Sequence, residues 1–136
     1  MNYGVELFGD RWSLLIIRDI VFAGKKTYGE FLRSEEGIAT NVLASRLAFL
    51  EEQGILSRAP NPDDRRKDFY TLTEKGLDLI PLVLNIVLWS AKHDSKSDAL
   101  RCKGFVARLS RSPIQVSEEV KALVRNGGCL FPESKE

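Results

Sequence analysis

Between residues 28 and 54 the hydrophobic positions recur at helical spacing, with one interruption. A first apolar stripe ends at the polar segment 34–37 and consists of Tyr28, Phe31 and Leu32. A second stripe repeats at spacings of four and three and consists of Leu43, Leu47 and Leu50. Thr40 or Asn41 is expected to cap the second helix, and Gly54 stands where a left-handed C-cap belongs. The pattern predicts two helices joined by a short turn.

Two short runs of strand-forming residues follow, separated by turn formers. The runs are residues 55–59 and 69–72, and the segment between them opens with Pro-Asn-Pro-Asp-Asp at 60–64. Thr73 then stands as an N-cap before Glu74, whose negative charge suits the start of a helix. Helix, helix, hairpin and helix in this order predict a winged helix.

Three basic residues lie at the tip of the predicted hairpin: Arg65, Arg66 and Lys67. A wing of this kind can enter a minor groove and neutralise phosphates. The same turn carries three acidic residues, Asp63, Asp64 and Asp68. Taken alone, the segment is therefore equally well interpreted as a solvated surface turn.

The second helix offers side chains suited to a major groove. When its leucine stripe faces inward, the opposite side carries Asn41, Ser45, Ala48 and Glu52, with Arg46 on the flank. Small polar residues near the start of such a helix suit hydrogen bonding to base edges. A plain amphipathic helical hairpin is the alternative, and the strand pattern after Gly54 disfavours it. The candidate DNA-binding residues are Thr27, Thr40, Asn41, Ser45, Arg46, Arg65, Arg66 and Lys67.

Over roughly residues 5–93 the chain resembles the HxlR-type branch of the MarR-like winged-helix transcriptional regulators. Five segments carry the resemblance: 7–19 with its Gly-x-basic-Trp signature, 28–31, 37–47, 50–56 and 72–76. Residues 7–19 look like that branch's first helix. The resemblance implies a mainly α fold with a small β-hairpin wing, dimerising through terminal helices.

The same resemblance implies a function and roles for the wing residues. Asp64 would brace the wing loop, Arg66 would enter the minor groove, and Arg65 would contact a phosphate. The implied protein is a sequence-specific regulator acting as a homodimer on a pseudo-palindromic operator in double-stranded DNA. Its recognition helix, about 40–53, would lie in the major groove and its wing, about 56–72, at the minor groove.

Two other functions are alternatives to a DNA-binding regulator: a protein-interaction module and an enzyme. A winged-helix module for protein interaction or dimerisation, without specific DNA binding, is favoured by the net charge of only +1 and disfavoured by the wing arginines. An enzyme is disfavoured because the sequence lacks a Ser/His/Asp set, cysteines at metal spacing and a Gly-rich phosphate loop. No cofactor is expected. Members of the family that this chain resembles often carry a cysteine just before the first helix, and some use it as an oxidation sensor. This chain has Met-Asn-Tyr-Gly at 1–4 instead, so that mechanism is not expected here.

Residues 77–91 are apolar almost all round, which a surface helix does not need. We interpret the segment as one dimerisation helix, bent by Pro81 in its second turn, with a purely intrachain core helix as the alternative. Its junction with the first helix would be lined by Phe8, Trp12, Leu84, Leu88 and Trp89. By analogy with the MarR-like group, a small aromatic or apolar effector is expected there. Equally, these residues could form plain core.

We divide the chain into a winged helix-turn-helix domain with its dimerisation helix, 1–94, and a C-terminal extension of unknown role, 95–136. Within the extension we expect a polar linker at 95–98, a strand at 105–109, and a helix from about 118 to 126 capped by Ser117. Cys102 and Cys129 are most simply reduced thiols, with a disulfide as the alternative.

Composition fits a small intracellular regulator of 136 residues with 43% hydrophobic content. The N-terminus lacks the pattern of an export signal, so a cytoplasmic protein is expected. The apolar run at 77–91 is interrupted by Asn85 and too short to span a membrane, so no membrane association is expected.

Overall fold

The computed structural model describes residues 2–96 and 102–132. Within these residues the chain is mainly helical, with a single antiparallel pair of strands. The helices are α1 (Asn2–Phe8), α2 (Arg11–Ala23), α3 (Tyr28–Leu32), α4 (Thr40–Glu52), α5 (Glu74–Leu77), α6 (Ile80–His93), α7 (Lys103–Arg111) and α8 (Pro113–Arg125), and the strands are β1 (Leu56–Pro60) and β2 (Asp68–Leu72). The predicted order of helix, helix, hairpin and helix is confirmed.

The single helix predicted over 7–19 is wrong, because the helical backbone is interrupted at Gly9 and Asp10. Asp10 has extended backbone angles, and its carboxylate accepts hydrogen bonds from the Trp12 N–H at 3.2 Å and the Ser13 hydroxyl at 3.0 Å. An aspartate in this position satisfies N–H groups that the first turn of a helix leaves free. Asp10 therefore ends one helical run and starts α2.

The two helices of the helix-turn-helix are α3 and α4, and their leucine stripe is buried as predicted. The expected cap of α4 is wrong, since Ala39 is the N-cap and Thr40 is already the first helical residue. The α4 start is held instead by the Tyr28 hydroxyl, which donates to the Thr40 carbonyl at 3.0 Å. Gly54 takes the left-handed conformation expected of it, with φ of 74°.

The single helix predicted over 77–91 is also wrong. Helix α5 ends at Leu77, and α6 begins at Ile80. Pro81 therefore lies in the first turn of α6 rather than in the second turn of one long helix. Proline is tolerated there because a first-turn residue needs no N–H. Thr73 caps α5 as predicted, with its hydroxyl accepting from the Gly76 N–H at 3.1 Å.

Two expectations about the C-terminal extension are wrong. Residues 105–109 lie in helix α7, where Leu109 is buried and Phe105, one turn earlier, packs against the same core. Helix α8 starts at Pro113, so Ser117 is buried inside the helix and does not cap it. The linker expected at 95–98 falls partly outside the described residues.

The described part of the extension shares the core of the winged helix. Its contribution consists of Leu109, Val116 and Val120, each at most 2% exposed. These side chains pack against α6, whose inward residues are Ile80, Val83 and Leu84. The opposite face of α6 is open, and it exposes Leu82, Ile86 and Trp89. In the described ranges, no helix has the length and hydropathy to cross a membrane.

We expect Gly76→Ala to lower the free energy of unfolding by about 1–3 kcal/mol, the usual cost of overpacking. A Cβ at Gly76 would collide with the Ile55 carbonyl oxygen and the Leu72 side chain. Gly104→Ala is the matched control, because an added Cβ there would meet no atom of the described residues within 4 Å outside its chain neighbours and its own helix backbone. Urea denaturation measures both. Equal stabilities for the two variants would contradict the tight packing of α5 on Ile55 and β2.

Candidate nucleic-acid interface

The outward face of α4 carries the side chains predicted to read bases. Thr40, Asn41 and Ser45 are all exposed, and so are the small side chains of Ala44 and Ala48 on the same helix. This face borders a groove of about 500 Å³ toward the wing strand, which Ala44, Ala48, Tyr28 and Arg58 help to line. The exposed face of α4 and the base of the wing therefore share one surface depression.

Arg46, predicted on the flank of the helix as a DNA contact, has partners within the fold. Its Nη1 lies 3.3 Å from Asp10 Oδ2, and its guanidinium lies over the Phe49 ring, 5.0 Å from the centroid. Asp10 thus caps α2 and also holds α4 in place. These contacts give Arg46 a positioning role within the fold.

Thr27 is likewise engaged by its own helix. Its hydroxyl accepts from the Glu30 N–H at 3.2 Å and donates to the Glu30 carboxylate at 3.0 Å. Thr27 is thus the N-cap of α3, and the Glu30 side chain binds the Thr27 hydroxyl. The signal was present in the sequence, since a threonine is followed three residues later by a glutamate.

The wing is a tight loop on a regular hairpin. Strands β1 and β2 pair in register from Leu56 opposite Leu72 to Pro60 opposite Asp68. Asn61 is 9% exposed, and its side-chain oxygen accepts from the Asp63 N–H at 2.9 Å while its N–H donates to the Lys67 carbonyl at 2.9 Å. The sequence analysis counted Asn61 among the turn formers but did not predict that its side chain would be buried and bound to the loop backbone.

Asp64 braces the loop in the described structure. Its carboxylate accepts from the Arg66 backbone N–H at 3.1 Å and from Arg66 Nε at 3.2 Å. These hydrogen bonds lower the pKa of Asp64 below its ordinary value. The Arg66 side chain is 91% exposed, and Arg65 and Lys67 are exposed beside it. The tip therefore presents three cations on a loop stiffened by Asn61 and Asp64.

A group of charged residues ties the turn before α4 to α2. Buried Asp19 accepts from Arg18, from Lys25 at 3.5 Å and from the Ser34 hydroxyl. Arg18 also donates to Glu36 Oε1 at 2.6 Å, and Ser34 and Glu36 both belong to the turn between α3 and α4. We call these five residues the turn network. Sequence reasoning missed it because its members are far apart along the chain.

The turn network has electrostatic consequences. The hydrogen bond from Arg18 holds the pKa of Glu36 below its ordinary 4.5, although partial burial opposes this. Burial disfavours the charged Arg18 guanidinium, but its bonds to Glu36 and Asp19 outweigh that effect and raise the pKa of Arg18. Both groups therefore stay ionised near neutral pH.

The five residues expected at an effector junction do not line a common cavity in the described structure. Leu84 is buried core, while Phe8, Trp12 and Leu88 pack partly buried against that core. Trp89 is 66% exposed, and its ring lies tilted against that of His93, at 5.1 Å between ring centroids. The space beside Trp12 is only about 10 Å³.

Comparison with known proteins places these features in a family. Residues 7–98 match the family model described as HxlR-like helix-turn-helix. Rv3095 of Mycobacterium tuberculosis, an uncharacterised HTH-type transcriptional regulator, is 37% identical over 89 residues, which cover 65% of this chain and 55% of that protein. The HTH-type transcriptional regulator YodB of Bacillus subtilis is 32% identical over 100 residues, covering 74% of this chain and 88% of YodB.

Solved structures agree with the sequence relatives. The reduced form of YodB matches with a TM-score of 0.57 and 30% identity, over 72% of this chain and 95% of that one. PA1607 matches with a TM-score of 0.62 and 38% identity, over 69% and 64% of the two chains. The chain spans about half the length of the mycobacterial relatives that it matches. The resemblance inferred from the sequence motifs is confirmed.

We expect Glu36→Gln to lower the free energy of unfolding at pH 7 by about 1–2 kcal/mol, because it removes a charged hydrogen bond. Since the folded pKa of Glu36 lies below its ordinary 4.5, this stabilisation is present above that pH and is lost as the pH falls through the folded value. The difference between wild type and variant should therefore shrink on acidification. Glu35→Gln, at the exposed neighbouring position, is the control, and a constant difference across pH would refute the ion-pair explanation.

Proposed function

The chain belongs to the HxlR-like helix-turn-helix family, and from this we propose that it is a sequence-specific DNA-binding transcriptional regulator acting in the cytoplasm, where its DNA lies. The observation that carries the proposal is the pairing of an exposed, polar α4 start with a braced cationic wing. The names of the relatives describe transcriptional regulators, in keeping with a protein that is not an enzyme.

We assign separate roles in DNA binding to the exposed side chains of α4 and of the wing. Asn41 and Ser45 contact base edges in the major groove, since both can donate and accept hydrogen bonds. Arg65, Arg66 and Lys67 contact phosphates or the minor groove, and these contacts carry little base information. Thr40 lies at the positive end of the α4 dipole, where a phosphate is favoured. Thr27 and Arg46 support these residues through their contacts within the fold.

We further propose that the protein acts as a homodimer through the open face of α6. Leu82, Ile86 and Trp89 are spaced at i, i+4 and i+7, so they form one apolar stripe along the helix. A second copy of the chain would cover this stripe in a two-fold arrangement. The two α4 helices would then meet half-sites about 34 Å apart on a pseudo-palindromic operator.

A winged-helix interaction module without specific DNA binding is the second candidate. It is favoured by the pairing of two arginines near the reading face with acidic residues. Arg46 contacts Asp10, and Arg58 lies 3.6 Å from both Glu51 and Asp68.

A small aromatic or apolar effector remains part of the proposed function.

The test for DNA reading is a gel-shift titration with DNA from upstream of the encoding gene and with random DNA. We expect Arg66→Ala to weaken binding to both and to reduce the salt slope by about 1, because one phosphate contact is lost. Ser45→Ala should instead reduce discrimination between the two DNAs. Arg111→Ala, at an exposed arginine on α7, controls for net charge. If the wild-type chain does not distinguish the two DNAs, the interaction module is the better account.

Static light scattering tests the dimer. We expect wild type at twice the chain mass and Trp89→Glu at the monomer mass, because a carboxylate in the middle of an apolar interface is costly to desolvate. Ile114→Glu is the matched control, since Ile114 is 81% exposed on α8 and lies outside the stripe. A wild-type monomer at high concentration would exclude the proposed interface.

A further inference from the structure

The return strand of the wing, β2, is contacted from the side by Lys26, which lies in the loop between α2 and α3. The Lys26 carbonyl accepts a hydrogen bond from the Tyr70 N–H at 2.7 Å. The Lys26 ammonium group lies over the ring of Phe69, 5.8 Å from the centroid. One lysine therefore holds two consecutive residues of β2, through its backbone and through its side chain.

The same lysine is bound by the end of the C-terminal extension. Its ammonium group donates to the Gly127 carbonyl at 3.4 Å. Gly127 follows α8 and has a φ of 88°, in the left-handed region that favours glycine. Three residues later the Leu130 N–H donates to the Val21 carbonyl at 3.0 Å, in the last turn of α2. The segment that binds Lys26 is thus itself fixed to the winged helix.

A second contact from the extension reaches α5, directly after the wing. Arg125, the last residue of α8, donates to both carboxylate oxygens of Glu74, from Nε at 2.8 Å and from Nη2 at 3.0 Å. Two parallel hydrogen bonds of this kind fix the orientation of the two groups as well as their distance. These hydrogen bonds lower the pKa of Glu74 and raise the pKa of Arg125, so both groups are ionised near neutral pH.

Glu74 lies at the base of both wing strands. It is two positions beyond Leu72, where β2 ends. The preceding residue, Thr73, donates from its N–H to the Ile55 carbonyl at 3.0 Å, next to the start of β1. A small rotation at this base displaces the cationic tip of the hairpin by a larger distance, because the tip is a full strand length away. Arg125 therefore acts on the point from which the wing projects.

We propose that the C-terminal extension positions the wing for DNA binding, and that Arg125 is a positioning residue acting through Glu74. An exposed ion pair contributes little by itself. Contacts at two separate points, β2 and the start of α5, together restrict rotation of the hairpin. Restraint before binding reduces the conformational freedom that the wing would lose on DNA. Arg125 and Gly127 lie beyond the residues 7–98 that the family model matches.

The effect on DNA binding rests on the proposed function, whereas restraint of the wing by the extension does not. The two parts are therefore measured separately, one without DNA and one with it.

Amide hydrogen exchange of the full chain, followed by NMR, tests the restraint without DNA. We expect Arg125→Ala to speed exchange of the Tyr70 N–H by about two- to fivefold, the range that an exposed ion pair can supply. Arg108→Ala is the matched control and should leave this exchange unchanged. The Arg108 and Arg125 side chains are both 50% exposed, but the partner of Arg108, Glu119, lies within the extension. Unchanged Tyr70 exchange in Arg125→Ala, or an equal increase in both variants, would overturn the proposal.

The gel-shift titration tests the consequence for DNA binding. Arg125→Ala should bind the upstream DNA and random DNA about two- to fivefold more weakly, and Arg108→Ala should bind both as wild type does. The salt slope of Arg125→Ala should equal that of wild type, because the phosphate contacts of the wing tip are kept. A slope reduced by about 1 would make Arg125 a phosphate contact instead of a positioning residue and would refute its assigned role.

A double-mutant cycle tests whether Arg125 acts through Glu74. In a Glu74→Ala background, Arg125→Ala should have no further effect on DNA affinity, and additive losses would contradict the assigned route. If Tyr70 exchange is faster in Arg125→Ala but DNA affinity is unchanged, the extension restrains the wing without serving DNA binding. If wild type binds neither DNA, the proposed function fails, while the Tyr70 exchange still decides whether the extension restrains the wing.

Discussion

The position of helix α4 depends on two carboxylates, one just before α2 and one near its end. Asp10 at its start binds Arg46 of α4, and Asp19 near its end binds Ser34 in the turn that leads into α4. Leucine side chains bury α4 but tolerate small rotations and shifts, because apolar contacts are not directional. Directional bonds at both ends remove that freedom, and the exposed face of α4 is thereby fixed.

The burial of Asp19 in this arrangement costs free energy, which explains why it has several hydrogen-bond partners. Burying the Asp19 carboxylate is unfavourable unless its lone pairs are satisfied, and a buried ion pair is weak evidence for stability by itself. Asp19 meets that requirement with Arg18, Lys25 and Ser34. Of these, Arg18 is half-exposed and shared with Glu36, so it is the point at which the environment can act on the turn network.

The C-terminal extension changes the winged helix that it joins. Its apolar residues complete the core against α6, and the backbone N–H groups of Leu130 and Phe131 donate to the carbonyls of Val21 and Phe22. These carbonyls lie at the end of α2, where a helix leaves acceptors unpaired. One side of α6 is consequently occupied within the chain, and the stripe of Leu82, Ile86 and Trp89 remains exposed in the described structure.

What the sequence by itself determined about this protein is the part governed by local rules. The leucine stripe of α4, the turn at Gly54, the cap at Thr73 and the hairpin wing each follow from residues a few positions apart, and together they predicted a winged helix. The family was identified from the resemblance of five segments between residues 7 and 76. Tertiary structure alone decided the rest, because Asp10 and Arg46 are 36 positions apart and nothing local pairs them. The same reason applies to 105–109, where alternating residues suited a strand until packing on α6 selected a helix. A cleft between α2, α6 and α7 could not be predicted for the same reason, because α2 is far from the other two helices along the chain and only folding brings them together.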